Sequence, residues 1–409
     1  MWDRMLDRML RGFVTKGALR IVYPDGEARR YGEAGAEPVT VRLADPSLPR
    51  RLVRNAELAV GEGYADGGMT IDGDDLEGFL TLATLNAAAN GGVWWRRIDH
   101  AARYARRMFD QYNPAFRARR NVAHHYDLSG ELYDLFLDAD RQYSCAYFTD
   151  PSVTLEEAQA AKKRHIAGKL LLEPGMEVFE IGCGWGGMAL TLARDHGVRV
   201  LGVTLSEEQH KVATRRAEAA GLSDRVRFEL KDYRAVEGSF DRIVSVGMFE
   251  HVGAPHYGEY FDTVRERLAA DGIALIHTIG RAAPPGTTSP WIAKYIFPGG
   301  YVPAMSEVAR AFEDADLYPC DVEVWRLHYA ETLRHWHDRF VANEDKARAL
   351  YDARFCRMWR YYLKACEVTF RHNRQCVFQV QLARRQDAVP LTRDYLYPHA
   401  AEARLSAAE

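Results

Sequence analysis

A chain of 409 residues with a formal net charge of -3 is long enough for one substantial core and a smaller second domain. That near-neutral balance excludes a protein that coats nucleic acid, and leaves membrane or acidic partners to be argued from local patches. Six cysteines, none in a C-x-x-C pair or beside histidines at zinc spacing, read as reduced thiols with no metal site. The chain shows neither a cleavable apolar leader nor a bilayer-spanning run, so the expected place is the cytoplasm, with access to a membrane surface.

Residues 1–20 place Met5, Leu6, Met9, Leu10 and Phe13 at helical spacing among Asp3, Arg4, Asp7, Arg8 and Arg11. This predicts an amphipathic helix that docks on its own protein or on lipid. Alternating segments LRIVYP and VTVRLAD follow, separated by glycine-rich turns through Gly73, and then a helical run Leu76–Asn90. Together they predict a small α+β domain over residues 1–92. The connector 93–120 sets eight arginines against Asp99 and Asp110 and interleaves Trp94, Trp95, Tyr104, Phe109 and Phe116. Such a stretch suits lipid headgroups or an ordinary solvated linker helix, and it carries no base-reading motif, so no nucleic-acid partner is expected.

From Gly175 strand and helix alternate, with strands expected at 176–182, 199–205, 226–232, 240–247 and 272–280, and later at 320–328 and 375–383. The order predicts an α/β, Rossmann-like nucleotide fold over 121–409, with ligands beyond the carboxyl ends of the strands. The first strand breaks into VFEIGCGWGG, where Gly182 and Gly184 let backbone amides approach a ligand. Thr204, Ser206 and Gln209 follow the second strand and suit a ribose; Asp232 and Tyr233 follow the third and suit an adenine. An NAD site is disfavoured, because the second strand end lacks an acid and the loop lacks G-x-G-x-x-G spacing.

Further motifs add a specific likeness. HHYDLSGELYDLFLD (124–138), QYSCAYF (142–148), VFEIGCGWGG, GVTLSEEQ (202–209), SVGMFEHVG (245–253), LIHTIG (275–280), YIFPGGYVP (295–303) and HYAETLRHW (328–336) resemble the cyclopropane fatty acid synthases, which act with S-adenosylmethionine on unsaturated phospholipid acyl chains. RNAELAVGEGYADGGMTID (54–72) resembles the N-terminal domain of the long bacterial members. The likeness implies a Rossmann-like methyltransferase fold, a peripheral place on the membrane and a homodimer.

It also implies site residues. Cofactor contacts would be Tyr143, Ser144, Gly182, Gly184, Thr204, Ser206, Gln209, Asp232 and Tyr233, with the HHYDLSGELY helix as a lid. A bicarbonate base would be held by Cys145 (amide), Glu250, His277, Ile279 (backbone) and Tyr329. The chemistry needs a dry, apolar pocket with one base beside it. Taken alone, His277 on an apolar strand reads as a core histidine, and Cys145 has no neighbour to activate it as a nucleophile. Cys366 reads as wall, and Tyr361, Tyr362 and Phe370 as core or as acyl-tunnel lining. A fatty-acyl methyltransferase that leaves a methylene or methyl branch is the alternative, through the same cofactor and a similar cation.

Overall fold

The computed structural model describes residues 1–90, 111 and 129–397. The basic connector, the histidine end of the expected lid (124–128) and the last residues lie outside them. The described chain forms two compact units. One takes residues 1–90, 286–298 and 329–375; the other takes 111, 129–285, 299–328 and 376–397.

The first unit begins with α1 (Trp2–Phe13), β1 (Ala18–Val22), β2 (Ala28–Gly32) and β3 (Pro38–Leu43), then α2 (Leu48–Asp66), β4 (Met69–Ile71) and α3 (Leu76–Asn90). Its four-stranded sheet runs β2-β1-β3-β4. The β1–β2 and β3–β4 pairs are antiparallel and β1–β3 parallel. Helix α1 buries Leu6 and Leu10 against its own unit, the first of the two uses expected for it. Helix α2 replaces the glycine-punctuated turns expected there. Its Gly61 and Gly63 are buried because the Trp291 indole and the Leu48 side chain press on them, so these glycines serve close packing rather than turning.

The second unit opens with α4 (Gly130–Asp134) and α5 (Leu155–Leu170). Thr154 caps α5 in a reciprocal capping box with Glu157. Then β5 (Glu177–Ile181), α6 (Gly187–His196), β6 (Arg199–Thr204), α7 (Glu207–Ala219), β7 (Val226–Leu230), β8 (Phe240–Val246), α8 (Tyr257–Arg267) and β9 (Leu268–Arg281) alternate. Helix α9 (Pro290–Tyr295) belongs to the first unit, whereas α10 (Met305–Asp314) and β10 (Tyr318–Trp325) belong to the second. Helices α11 (His328–Ala342), α12 (Glu344–Leu350) and α13 (Ala353–His372) fold with the first unit from Tyr329 onward, and β11 (Gln375–Ala383) completes the second.

The seven strands run β10-β11-β9-β8-β5-β6-β7. The pairs from β9 through β8, β5 and β6 to β7 are parallel, and β10 is antiparallel to β11. Side chains alternate between two cores as the strand period requires. Phe179, Ile181, Ile243, Ala274 and Ile276 enter one cluster, and Val178, Val244 and Leu275 enter the other. A parallel sheet buried on both faces leaves only its strand ends open for chemistry.

In the first unit α13 packs on α2 and α3. Tyr361 meets Trp291 and Tyr64 edge-on or tilted, Tyr362 meets Trp359 and Phe297, and Phe370 meets Tyr329. These rings are part of that unit's aromatic core. The Lys364 ammonium sits between Glu77 (3.0 Å) and Glu367 (2.7 Å), which satisfies a charge that burial would otherwise disfavour.

Candidate active site

At the carboxyl ends of β5, β6 and β8 a pocket opens, lined among others by Tyr143, Ser144, Gly182, Gly184, Thr204, Gln209, Asp232 and Tyr233. Eight of the nine expected cofactor contacts thus meet around one space. Ser206 lies outside the lining: its hydroxyl accepts the Gln209 amide at 3.3 Å and caps α7. The Thr204 hydroxyl donates to Gln209 Oε1 at 2.9 Å. Gly182 has φ +83° with Met248 crowding the place of a side chain, and Gly184 has φ +52° with open space there. A β-carbon would be strained at either position, and at Gly182 it would also collide.

Asp232 is committed more heavily than its place after β7 suggests. Its carboxylate accepts Arg234 Nε (2.8 Å) and Nη2 (2.7 Å) and the Arg234 amide (3.1 Å). The Arg234 guanidinium also lies over the Tyr233 ring, 5.4 Å from its centre. Across the pocket the buried Lys162 ammonium donates to Gln142 Oε1 (2.7 Å) and Ser144 Oγ (2.8 Å), fixing the 142–145 segment. Burial pushes that lysine down to about 8.

Several lining residues were not anticipated, notably Glu180, Trp185, Arg141 and His251. Burial pushes the Glu180 carboxyl up to about 8, and its Oε2 has no hydrogen-bond partner among the described residues. The only acid inside VFEI, one residue from the glycine loop, was the available signal. Trp185, set between glycines, packs edge-on against Tyr133, with ring centres 5.6 Å apart. Tyr133 in turn packs edge-on against Tyr143 at 5.3 Å, so the described end of the expected lid adjoins two pocket residues. Burial alone pushes His251 down to about 4.

The residues expected around the base are placed unevenly. Glu250 follows β8 in a 3-10 turn, Phe249–His251, and its Oε1 accepts the Ile279 amide at 2.6 Å. The Ile279 N–H is therefore occupied by the carboxylate. Oε2 is buried without a partner among the described residues. Burial raises this carboxyl to about 7, against the Ile279 amide and nearby Thr278, which favour the charged form. The Thr278 hydroxyl itself donates to Ile279 O at 3.0 Å. His277, two residues earlier on β9, is 2% exposed. Burial first, then Lys162, Lys169 and His165, hold it well below the ordinary histidine value, so it is neutral. Its Nδ1 lies 3.0 Å from the buried Gln379 amide nitrogen. Cys145 is fully buried. Tyr329 belongs to the first unit, where its ring packs on Trp336 and Phe370.

A strand-end pocket with this glycine loop, beside a buried and half-satisfied glutamate, is matched by a family model. Residues 114–380 fit the model described as mycolic acid cyclopropane synthetase. This chain belongs to that family. Residues 5–89 fit a domain of unknown function (DUF7884). The chain is 39% identical over 353 residues to the cyclopropane-fatty-acyl-phospholipid synthase of Escherichia coli K12, covering 86% of this chain and 89% of that one. It is 35% identical over 398 residues to the tuberculostearic acid methyltransferase of Mycobacterium tuberculosis, covering 92% and 90%. A cyclopropane synthase structure from Mycobacterium tuberculosis superposes with a TM-score of 0.63 at 32% identity, over 66% of this chain and 99% of that one. Another, of a mycolic acid cyclopropane synthase complexed with SAH and CTAB, gives 0.62 at 34%, over 67% and 99%. The cyclopropane synthase family and the Rossmann-like methyltransferase fold were both legible in the sequence motifs, and the chain is an S-adenosylmethionine-dependent enzyme of the methyltransferase class.

Proposed function

We propose that this cyclopropane synthase adds a methylene unit from S-adenosylmethionine across the cis double bond of an unsaturated phospholipid acyl chain. The carrying observation is the buried Glu250 carboxyl, one oxygen tied to the Ile279 amide and the other unpartnered, next to residues of the strand-end pocket. The cofactor fits that pocket: Glu180 Oε2 is buried without a partner, and Gly184 leaves open space. When bound, it supplies a methyl group on a positively charged sulfur. Tyr143, Ser144, Gly182, Gly184, Thr204, Gln209, Asp232 and Tyr233 hold it, and Ser206 acts through the cap of α7.

Methyl transfer to the double bond leaves a cation on the acyl chain, and ring closure requires one proton to leave the new methyl group. Bicarbonate would supply the base there, held by Glu250, His277 and the Cys145 amide, with the Ile279 N–H acting through the carboxylate it fixes. The orphaned Oε2 of a carboxyl poised near 7 suits a shared proton with such an anion. Neutral His277 adds a hydrogen-bonding group without adding charge.

The family matches at 5–89 and 114–380 support separating a small N-terminal domain, 1–92, from a catalytic domain, 121–409, joined by 93–120, with the segments 286–298 and 329–375 of the latter folding with the N-terminal residues. The enzyme works from the cytoplasm as a homodimer at the membrane surface. Among the described residues no helix is long and apolar enough to cross a bilayer. A second reading, transfer that leaves a methylene or methyl branch, is favoured by the 35% identity to the tuberculostearic acid methyltransferase. Lipid extracts of cells with and without the gene test the proposal. Cyclopropane acyl chains should appear at the expense of unsaturated ones only when it is expressed, and unchanged extracts would count against it.

A further inference from the structure

Helix α1 buries Leu6 and Leu10 in its own unit and leaves Met1, Arg4, Met5 and Arg8 exposed. Met1 is 82% and Met5 45% exposed. Trp2 is half-buried, and the Arg50 and Arg54 guanidinium groups of α2 stand over its ring, 5.9 and 5.7 Å from the centre. Arg4 and Arg8 are exposed one turn apart on α1. None of these four arginines has a carboxylate partner among the described residues. The neighbouring acid Asp7 is already bound, to Arg11 (3.1 Å) and to the Tyr31 hydroxyl (3.0 Å). Asp3 is the other acid of this helix. The surface therefore carries four cations without a carboxylate partner among the described residues, against Asp3, around an indole and two exposed methionines.

We propose that this α1–α2 face docks the N-terminal unit on an anionic lipid surface. A solvated salt-bridged face would pair its arginines, as Arg11, Arg29, Arg42 and Arg51 do elsewhere in the same unit. Here the charges are left for an outside anion, with exposed apolar groups beside them. Trp2, with an apolar body and a polar N–H, suits the boundary between headgroup and chain. The arginines bring the surface to phosphate, and Met1, Met5 and Trp2 contribute the apolar contact that charge alone cannot. The proposal rests on the phospholipid reading for its purpose, so the test avoids turnover altogether.

The full-length protein is sedimented with vesicles of diphytanoyl phosphatidylglycerol and phosphatidylcholine in equal parts, whose saturated chains offer no double bond, and with phosphatidylcholine alone. Wild type should bind the anionic vesicles and be released by salt. Each arginine near such a surface contributes about fivefold, so the fourfold variant R4Q/R8Q/R50Q/R54Q should bind at least tenfold more weakly. The matching fourfold lysine variant should keep binding, and Trp2→Ala should weaken it with every charge in place. Circular dichroism and thermal unfolding check that the variants are folded. Should the fourfold glutamine change unfold the protein, the single reversals Arg4→Glu and Arg54→Glu carry the same decision. Unchanged binding by the charge variants would overturn the proposal, as would equal wild-type binding to both vesicle types. A drop in oligomeric state with intact vesicle binding would assign the face to a second copy of the chain instead.

Discussion

The Ile279 amide donates to Oε1 of Glu250 at 2.6 Å and leaves Oε2 of the same carboxylate buried without a partner among the described residues. A strand end thereby holds a carboxyl in one orientation while keeping half of its hydrogen-bonding capacity for something else. Glu250→Gln keeps the shape and the Ile279 contact but lacks the acidic proton. Its turnover should fall by about two orders of magnitude or more, the range for loss of a group that handles or positions a proton, while cofactor affinity stays within about twofold by calorimetry. Parallel loss of both would place Glu250 in the cofactor site instead.

The same carboxyl makes a stability prediction. Burial raises it from 4.5 to about 7 in the folded protein, so between those values the folded state binds the proton and the unfolded state does not. Its contribution to stability is complete below about pH 4.5 and is lost as the pH rises through about 7. Glu250→Gln should therefore gain on wild type by something on the order of 3 kcal/mol between about pH 4.5 and about pH 8. Denaturant titration at both pH values measures it. A pH-independent difference would mean that the carboxylate is ionised and paired in the folded protein.

Asp232→Ala should weaken cofactor binding by about 1–3 kcal/mol, the usual cost of leaving a buried polar partner unmatched. The structure adds a second cause, since the change also releases Arg234 from its two-point contact. Arg234→Gln in the Asp232→Ala background should then cost little more, and a double-mutant cycle separates the two. Unaltered affinity in Asp232→Ala would move the adenine elsewhere.

Much of the second unit was legible because a buried parallel sheet writes itself as short apolar runs ending in glycine or polar residues. Five strand positions and the glycine loop followed from that pattern. Strand β9 is longer than its apolar run, because Leu268–Asp271 joins before a register shift against β8, and an irregular pairing leaves no mark in hydropathy. Segments 286–298 and 329–375 fold with the N-terminal residues, which local periodicity does not encode. Helix α2 was hidden by its glycines, whose reason is tertiary: Trp291 occupies the space a side chain would need at Gly61. At the site, the strand ends revealed who gathers there. That Arg234 holds Asp232, or that the Ile279 amide holds Glu250, depends on side-chain direction and was not readable.

Gly61 offers a direct check on the first unit. A methyl group there would fall inside contact distance of the Trp291 indole, although alanine by itself favours a helix. Gly61→Ala should destabilise the protein by about 1–3 kcal/mol, the range for overpacking a filled core. A neutral or stabilising result in thermal unfolding would mean that α2 and Trp291 are less closely packed.

Purified protein, bicarbonate, S-adenosylmethionine with a deuterated methyl group and vesicles of a cis-unsaturated phospholipid are incubated together, and the released acyl chains are analysed by mass spectrometry after an olefin-specific derivatisation. Cyclopropanation predicts a gain of one methylene that retains two of the three deuterium atoms, because one leaves with the proton-abstraction step, in a product that no longer reacts with the olefin reagent. A product of the same mass that still reacts, or one that keeps all three deuterium atoms, would contradict the cyclopropane assignment and establish the branched-chain reading.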